Sequence, residues 1–251
     1  MRTLALVTGA SRGLGRNTAL AIARGGGDVV VTYRGSADEA TAVVADLEAL
    51  GRRAVALQLD TGEVDAFPVF VTRLRTALRD TWQRETFDHL VNNAGHGDTA
   101  PIADTTVAQF DRLVDVHFKG VFFLTQALLP LIADGGRIVN ISTGLTRFAY
   151  PGYAAYAAAK AAVETLSVYM AKEFGARGIA VNTVAPGAIE TDFGGGVVRD
   201  NADVNAQLAG ITALGRVGVA DDIGPMIAAL LGEANRWVNA QRIEVSGGQA
   251  I

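Results

Sequence analysis

The stretch LALVTGASRGLG, residues 4–15, decides the fold of this chain. A short apolar run leads directly into a turn with glycines at positions 9, 13 and 15, and helix-compatible sequence follows over Leu14–Arg24. Glycines without Cβ atoms let a backbone turn tightly and approach a pyrophosphate, which then binds the free N–H groups of the helix N-terminus. We therefore predict strand, phosphate-binding turn and helix in that order, although a glycine turn without a ligand fits the motif alone.

The alternation of strand and helix continues along the whole chain. Further strand candidates are Asp28–Tyr33, Ala54–Leu59, Asp88–Asn92, Arg137–Ile141, Ile179–Val184 and Arg242–Val245. Helical candidates are Ala37–Leu50, Val64–Arg79, Thr106–Ile132, Tyr153–Phe174 and Ala220–Leu231. Strands separated by helices are typical of a parallel sheet with both faces covered. The pattern predicts an α/β fold: one doubly wound, Rossmann-type domain over residues 1–251, with a seven-stranded parallel sheet and helices on both faces.

One segment, residues 187–215, breaks this alternation. It is long, mixed in polarity and contains three consecutive glycines at positions 194–196. Long insertions that follow the C-terminal end of a strand are often lids over a binding site, and otherwise they are plain surface loops. We expect a substrate lid within this segment.

Composition excludes several classes of protein. Among 251 residues, 22 Lys and Arg stand against 26 Asp and Glu, and there is no cysteine. A mildly acidic chain lacks the basic surface that nucleic-acid binding requires, and the absence of cysteine excludes disulfides and thiolate-bound zinc. The histidines at 89, 96 and 117 form no zinc-binding pattern, so we predict no metal. No targeting pattern is visible, and charged residues interrupt the longest apolar stretches. We therefore expect a cytoplasmic protein without a membrane or nucleic-acid partner.

Two further motifs carry chemistry. The sequence NNAG at residues 92–95 follows a predicted strand, where amides tie strands together and glycine permits close approach of a ligand, although a simple turn is the alternative. Tyr156 and Lys160 are four residues apart in an alanine-rich helix and therefore share one face. A phenol with a pKa near 10 is a poor acid or base at neutral pH. A lysine and an oxidised nicotinamide nearby would lower that pKa.

These motifs, in this order, resemble the short-chain dehydrogenase/reductase family. The resemblance covers nearly the whole chain, including PG at 186–187 and IEVSGG at 243–248, and is similar to the 3-oxoacyl-carrier-protein-reductase-like branch. It implies a nicotinamide-dependent oxidoreductase that interconverts a carbonyl and a secondary alcohol by hydride transfer. A redox-inactive dinucleotide-binding regulator is the alternative, and it would be favoured if Tyr156 or Lys160 were missing.

The resemblance also implies roles for individual residues. Tyr156 would be the general acid and base, and Lys160 would bind the nicotinamide ribose and lower the phenol pKa. The phosphates and ribose would contact Gly9, Ser11, Arg12, Gly13, Leu14 and Gly15. The adenosine would contact Asp60, Asn92, Ala94 and Gly95, and the nicotinamide would contact Pro186, Gly187, Ile189 and Thr191.

Two positions depart from the family pattern. His117 stands where the family usually has an asparagine that supports a proton relay. It is either a tolerated polar replacement or a titrating member of the relay. The hydroxyl that orients the substrate carbonyl falls on Thr143 by family spacing, with Ser142 one residue earlier. Because side chains alternate along a strand, only one of the two should face the site, and we favour Thr143.

The cofactor preference follows from the end of the second strand. An NAD-selective site usually places an acid there, whereas this chain has Tyr33 followed by Arg34. Arg12 projects from the glycine turn, and two guanidinium groups suit the 2′-phosphate of NADP. A solvated loop cation is the alternative for Arg34. We therefore predict NADP(H) as the cofactor.

We also expect partners of two kinds. Segments 106–132 and 153–174 are apolar over more than one helical face, which together with the family resemblance predicts a homotetramer. The substrate is a small carbonyl or alcohol whose identity the sequence does not specify. Its pocket would be apolar, lined by Phe148, Tyr150, Tyr153 and Phe193, although each of these is also an ordinary packing residue.

Overall fold

A computed structural model describes residues 2–251, and within them the strands form one large and one small sheet. The strands are β1 Leu4–Val7, β2 Asp28–Tyr33, β3 Ala54–Gln58, β4 Phe87–Asn92, β5 Ile132–Ile141, β6 Ala180–Pro186, β7 Ile189–Glu190, β8 Gly218–Val219 and β9 Arg242–Val245. The seven-stranded sheet has the order β3-β2-β1-β4-β5-β6-β9. Every neighbouring pair in it is parallel. The other two strands, β7 and β8, pair separately.

Helices cover both faces of the large sheet. They are α1 Gly13–Arg24, α2 Ala37–Ala49, α3 Phe67–Ala77, α4 Val107–Val114, α5 Gly120–Leu128, α6 Ala154–Phe174, α7 Val197–Asp200, α8 Ala202–Gly210 and α9 Gly224–Leu230. In β1, Leu4 and Leu6 pack with residues of α3, α5 and α6, whereas Ala5 and Val7 pack with residues of α1, α2 and α9. A strand buried on both faces is apolar at every position, which explains the continuous run at residues 4–7. The predicted Rossmann-type fold class is confirmed.

Most boundaries differ from the sequence prediction by a few residues, and the largest differences lie between residues 106 and 141. The expected helix over residues 106–132 is interrupted by a π-helical turn at Asp115–Lys119 and ends at Leu128. A short 3-10 turn that contains Pro130 follows. The strand β5 then begins at Ile132, five residues earlier than expected, with an irregular register against β4. Gly135, with a φ of 75°, accommodates this irregularity, because glycine adopts positive φ readily.

The segment 187–215 is not a structureless loop. It contains β7, α7 and α8, and its three glycines at positions 194–196 all have positive φ. Within residues 2–251, no helix combines the length and the apolar character that a bilayer crossing requires.

The topology places the candidate site. Parallel strands direct all their C-terminal ends to one edge of the sheet, where ligands of open α/β folds bind. The loops after β1, β3, β4, β5 and β6 meet at this edge. Gly120, the first residue of α5, sets how closely the loop after β3 can approach, because its Cα packs against the carbonyl oxygen of Thr61.

We expect Gly120→Ala to lower the free energy of unfolding by about 2 kcal/mol or more, because the added Cβ would overlap the Thr61 carbonyl and force backbone movement. The matched control is Gly175→Ala at the end of α6, where a Cβ would meet nothing within 4 Å. It should leave stability unchanged or raise it slightly. Urea denaturation of both variants measures the difference, and equal midpoints would contradict the prediction.

Candidate active site

A cleft of about 770 Å³ opens at the C-terminal edge of the sheet. Most predicted site residues line it: Gly9, Ser11, Arg12, Gly13, Leu14, Arg34, Asp60, Ala94, Gly95, His117, Ser142, Thr143, Tyr156, Lys160, Pro186, Ile189 and Thr191. Seven others lie outside the lining: Gly15, Tyr33, Asn92, Gly187 and three of the four predicted substrate-pocket residues, Phe148, Tyr150 and Tyr153. The structure therefore brings the glycine turn and the Tyr156–Lys160 pair into one cavity.

The glycine turn is built for close approach. Gly9 and Gly13 have φ values of 62° and 55°, which a larger residue would adopt only with strain. Gly15 packs behind the turn, where a Cβ would overlap the Gly9 carbonyl. The N-terminus of α1 has no side-chain cap, so its first N–H groups are available to an anion in the cleft. This turn fits a dinucleotide pyrophosphate.

The two adjacent asparagines after β4 have different roles. Asn92 is buried, and its amide donates to Thr125 Oγ1 at 3.1 Å and to Asn140 Oδ1 at 2.8 Å. Asn93 points to the glycine turn, where Nδ2 donates to the carbonyl oxygens of Thr8 at 2.8 Å and Gly9 at 3.2 Å. Asn92 therefore connects β4 to β5 and α5 in the protein interior, and Asn93 fixes the glycine turn. Sequence reasoning missed Asn93, although alternation along a strand indicates that only one of two neighbours faces the turn.

Gly187 and Tyr33 lie outside the cleft for different reasons. A Cβ on Gly187 would lie 2.8 Å from Gln249 Oε1, so this glycine packs against residues 246–249. Tyr33 ends β2, and the next residue, Arg34, is the one that lines the cavity.

The tyrosine and lysine of α6 are both buried. Lys160 Nζ donates to the carbonyl oxygen of Ile141 at 2.7 Å and lies 5.9 Å from the centre of the Tyr156 ring. Burial lowers the pKa of Lys160 to about 8, so the amine is mostly protonated at neutral pH. Burial raises the pKa of Tyr156 well above its usual value, and hydrogen bonding by Thr143 opposes that rise. Tyr156 therefore holds its proton in the cofactor-free protein.

Ser142 and Thr143 both line the cleft, but their hydroxyls have different partners. Ser142 Oγ donates to Glu164 Oε1 at 2.6 Å, which commits this hydroxyl to the carboxylate of α6. The Thr143 side chain lies beside the phenol of Tyr156, and its Oγ1 accepts from the Leu145 N–H at 3.3 Å. Thr143 is thus the hydroxyl next to Tyr156.

His117 lies in the π-helical turn and is fully buried. Its Nε2 donates to the carbonyl oxygen of His96 at 2.8 Å, and its ring packs edge-on against Tyr156 with 5.0 Å between the ring centres. A Cβ on Gly95 would lie 2.6 Å from the ring, so glycine is required there. Burial and the charge of Lys160 lower the pKa of His117 well below its usual value. His117 is therefore neutral at physiological pH.

Two arginines mark one end of the cleft. Arg12 and Arg34 are exposed and line the cavity. Neither guanidinium forms a hydrogen bond within 3.5 Å or an ion pair within 4.0 Å with any part of residues 2–251. The same part of the chain holds no cluster of side chains suited to a metal ion. Two uncommitted guanidinium groups fit a phosphate dianion.

Phe193, in the segment after β7, covers the tyrosine. The rings of Phe193 and Tyr156 lie 5.7 Å apart between centres, and a Cβ on Gly97 would be 3.0 Å from Phe193 Cε1. Arg199 pairs with Asp192 at 2.5 Å, which ties the two ends of this segment together across the three glycines. Asp192 and Arg199 also line the cleft and were not anticipated from the sequence.

A phosphate-binding glycine turn and a buried tyrosine–lysine pair in one cleft define a dinucleotide-binding oxidoreductase. A family model described as enoyl-(acyl carrier protein) reductase matches residues 9–250. The 3-oxoacyl-acyl-carrier-protein reductase of Staphylococcus epidermidis is 35% identical over 250 residues, which cover 99% of each chain. The chain belongs to the short-chain dehydrogenase/reductase family, and the resemblance inferred from its motifs is confirmed.

Solved structures of similar proteins agree with this assignment. The promiscuous reductase LugOII, described as catalysing keto-reduction at C1 in lugdunomycin biosynthesis, has a TM-score of 0.93 and 38% identity, with 99% of this chain and 98% of that chain covered. The landomycin C-6 ketoreductase LanV, solved with NADP and rabelomycin bound, has a TM-score of 0.90 and 35% identity, with 99% and 96% covered.

We expect the Tyr156 phenol to stay protonated in the native cofactor-free protein at a pH of about 11, because burial raises its pKa. Phenolate absorbance of wild type and Tyr156→Phe should therefore coincide up to that pH. In guanidinium chloride the wild type should show one phenolate more. An extra phenolate in native wild type would contradict the prediction.

The raised pKa of Tyr156 also makes the stability of the fold depend on pH. The unfolded tyrosine releases its proton near pH 10 and the folded one does not, so the free energy of unfolding should fall as pH rises above about 10.

Proposed function

We propose that this protein is an NADP(H)-dependent ketoreductase that converts a carbonyl compound to a secondary alcohol, with Tyr156 as general acid. The observation that carries the proposal is the meeting of a protonated phenol, the Thr143 hydroxyl and the Lys160 ammonium in the cleft that also contains the glycine turn. The ketoreductase LanV, solved with bound NADP, supports both the cofactor and the reaction.

The residues of the cleft fit this cofactor. The turn around Gly9 and Gly13 would hold the pyrophosphate, and Arg12 and Arg34 would bind the 2′-phosphate. Lys160 has N–H groups beyond the one donated to Ile141 and would bind the nicotinamide ribose with them. NADPH supplies the hydride when it is bound.

The chain's own groups handle the carbonyl oxygen. The Thr143 hydroxyl would donate a hydrogen bond to this oxygen, where negative charge develops during reduction. Tyr156 would donate its proton to the same oxygen, and its raised pKa keeps the proton available for that step. The charge of Lys160 would stabilise the phenolate that remains.

His117 replaces the asparagine that usually supports the proton relay. A neutral ring whose Nε2 proton is committed to His96 supports the interpretation of a tolerated polar replacement. We propose that His117 holds the loop after β4 against Tyr156 and does not change charge during turnover.

We propose that the substrate is a ketone with an apolar part beside Phe193, the one predicted aromatic pocket residue that lines the cleft. Phe193 lies over Tyr156 from the segment 187–215, which we propose acts as a lid. The structures of LugOII, described as catalysing keto-reduction, and of the C-6 ketoreductase LanV support a ketone as the substrate.

The remaining expectations concern assembly and location. Several large apolar side chains are exposed on the outer faces of α4, α5 and α6, namely Phe110, Phe122, Phe123, Val168 and Tyr169. They support the proposed homotetramer, since a second copy of this chain would cover them. The cytoplasmic location stays a prediction.

The function is tested by NADPH oxidation at 340 nm with acetophenone, tetralone and an acetoacetate ester. Turnover by the wild type with NADPH would support the proposal, provided that it is absent when NADH replaces NADPH and absent in the Tyr156→Phe variant. NADPH binding without turnover of any carbonyl would favour a redox-inactive regulator instead.

We predict that Arg34→Ala raises KM for NADPH by roughly 10- to 100-fold, because a charge-assisted hydrogen bond contributes about 1.5–3 kcal/mol. The KM for NADH, which lacks the 2′-phosphate, should change little. Arg73→Ala, an exposed arginine of α3 outside the cleft, is the control. Equal kcat/KM for both cofactors in wild type would contradict the assignment.

Thr143→Val preserves shape and removes the hydroxyl, so we expect kcat to fall by about 100-fold or more while NADPH binding persists. Ser142→Ala should stay within roughly tenfold of wild type, since the serine hydroxyl is bonded to Glu164. Steady-state kinetics and NADPH fluorescence separate the two effects. The reverse pattern would make Ser142 the catalytic hydroxyl.

A further inference from the structure

The geometry points to Arg242 as a positioning residue: with Glu164, it holds the loop after β5 so that the Thr143 hydroxyl, and not that of Ser142, lies beside Tyr156. The inference concerns the reaction under the proposed function and rests on it. Neither Arg242 nor Glu164 belongs to the motifs from which the site was predicted.

Arg242 donates hydrogen bonds to the loop after β5 at two points. Its Nη2 donates to the backbone carbonyl oxygen of Thr143 at 3.2 Å and to Thr146 Oγ1 at 3.0 Å. Its Nε donates to Glu164 Oε1 at 2.8 Å. One planar guanidinium therefore connects the carbonyl of the catalytic threonine to a carboxylate on α6.

Glu164 determines which hydroxyl is free. Its Oε1 accepts from Ser142 Oγ at 2.6 Å, from Thr146 Oγ1 at 2.8 Å and from Arg242 Nε at 2.8 Å. Because neighbouring side chains of an extended chain point to opposite sides, holding Ser142 on the Glu164 side directs Thr143 toward the cleft.

Glu164 and Arg242 both lie on regular secondary structure, which fixes them relative to the reacting groups. Tyr156, Lys160 and Glu164 follow at intervals of four residues on α6 and therefore share one face of the helix. Arg242 begins β9, and its Nη1 donates to Glu244 Oε2 at 3.1 Å on the same strand. A helix and a strand thus fix the loop from two sides.

The chain of contacts extends to the nicotinamide side of the cleft. Glu244 also accepts from Arg147, whose Nη1 donates to the carbonyl oxygen of Ala250 at 3.0 Å. The adjacent Gln249 accepts from the Ala188 N–H at 2.9 Å, in the loop after β6. The loop after β5, which carries Thr143, is therefore connected to the loop after β6 through one polar network.

The test is a double-mutant cycle between Arg242 and Thr143. We expect Arg242→Met to lower kcat about tenfold with KM for NADPH unchanged, and to cause no further loss in the Thr143→Val background, since contacting residues couple. Arg137→Met is the matched control. Arg137 forms an ion pair with Glu233 at 3.2 Å, and its substitution should leave kcat unchanged in both backgrounds.

Loop order gives a readout that is independent of turnover. Arg242→Met should accelerate hydrogen exchange at the Leu145 amide, which donates to Thr143 Oγ1, and Arg137→Met should not. If wild type turns over no carbonyl, the proposed function fails, and the exchange measurement still decides whether Arg242 holds the loop.

Two outcomes would overturn the inference. If Arg242→Met lowers kcat by the same factor in the wild-type and Thr143→Val backgrounds, Arg242 acts independently of the Thr143 hydroxyl. If Arg242→Met changes neither kcat nor hydrogen exchange at Leu145, Arg242 does not hold the loop. If Arg242→Met fails to fold, Arg242→Lys replaces it. Lysine keeps the charge but not the planar fork that reaches Glu164 and Thr143 together, so it should show the same coupled loss.

Discussion

A latch of two hydrogen bonds, both donated by Asn93 and accepted by Thr8, holds β1 and β4 together at their C-terminal ends, and the cleft depends on it. Asn93 Nδ2 donates to the Thr8 carbonyl oxygen at 2.8 Å, while Thr8 Oγ1 accepts from the Asn93 N–H at 2.9 Å. The latch lies where the strand order changes direction, between β1 and β4. Helices leave the sheet on opposite faces there, so a crevice opens. Together with the hydrogen bond from the Ala94 N–H to Thr8 Oγ1 at 2.9 Å, the latch fixes the glycine turn against the loop after β4.

Burial then sets the electrostatics of that crevice. Tyr156, Lys160 and His117 are all buried, and burial shifts each pKa toward the neutral form. The lysine alone stays mostly charged at neutral pH, because its pKa falls only to about 8. The site therefore contains one cation beside two neutral rings, an arrangement suited to stabilising a phenolate at the moment it forms.

The sequence predicted what local patterns encode. Continuous apolar runs indicated buried parallel strands, and the four-residue interval between Tyr156 and Lys160 indicated one helical face. It did not predict the π-helical turn that buries His117, because no propensity distinguishes it from the surrounding helix. Arg242 and Glu164 are 78 residues apart, and they meet because β9 pairs with β6 and α6 packs on β6. Contacts of that kind leave no local signal.

Under the proposed function, the groups that act on the carbonyl and the residues that would contact the rest of the substrate belong to different parts of the fold. Tyr156, Lys160 and Glu164 are fixed on α6, and Arg242 on β9, so the acid and the hydroxyl keep their geometry whatever the substrate. Phe193 instead belongs to a segment with three glycines of positive φ, outside the large sheet. Loops tolerate substitution better than the elements that they connect. Substrate choice can therefore change through residues around Phe193 without disturbing the hydrogen bonds that position Thr143.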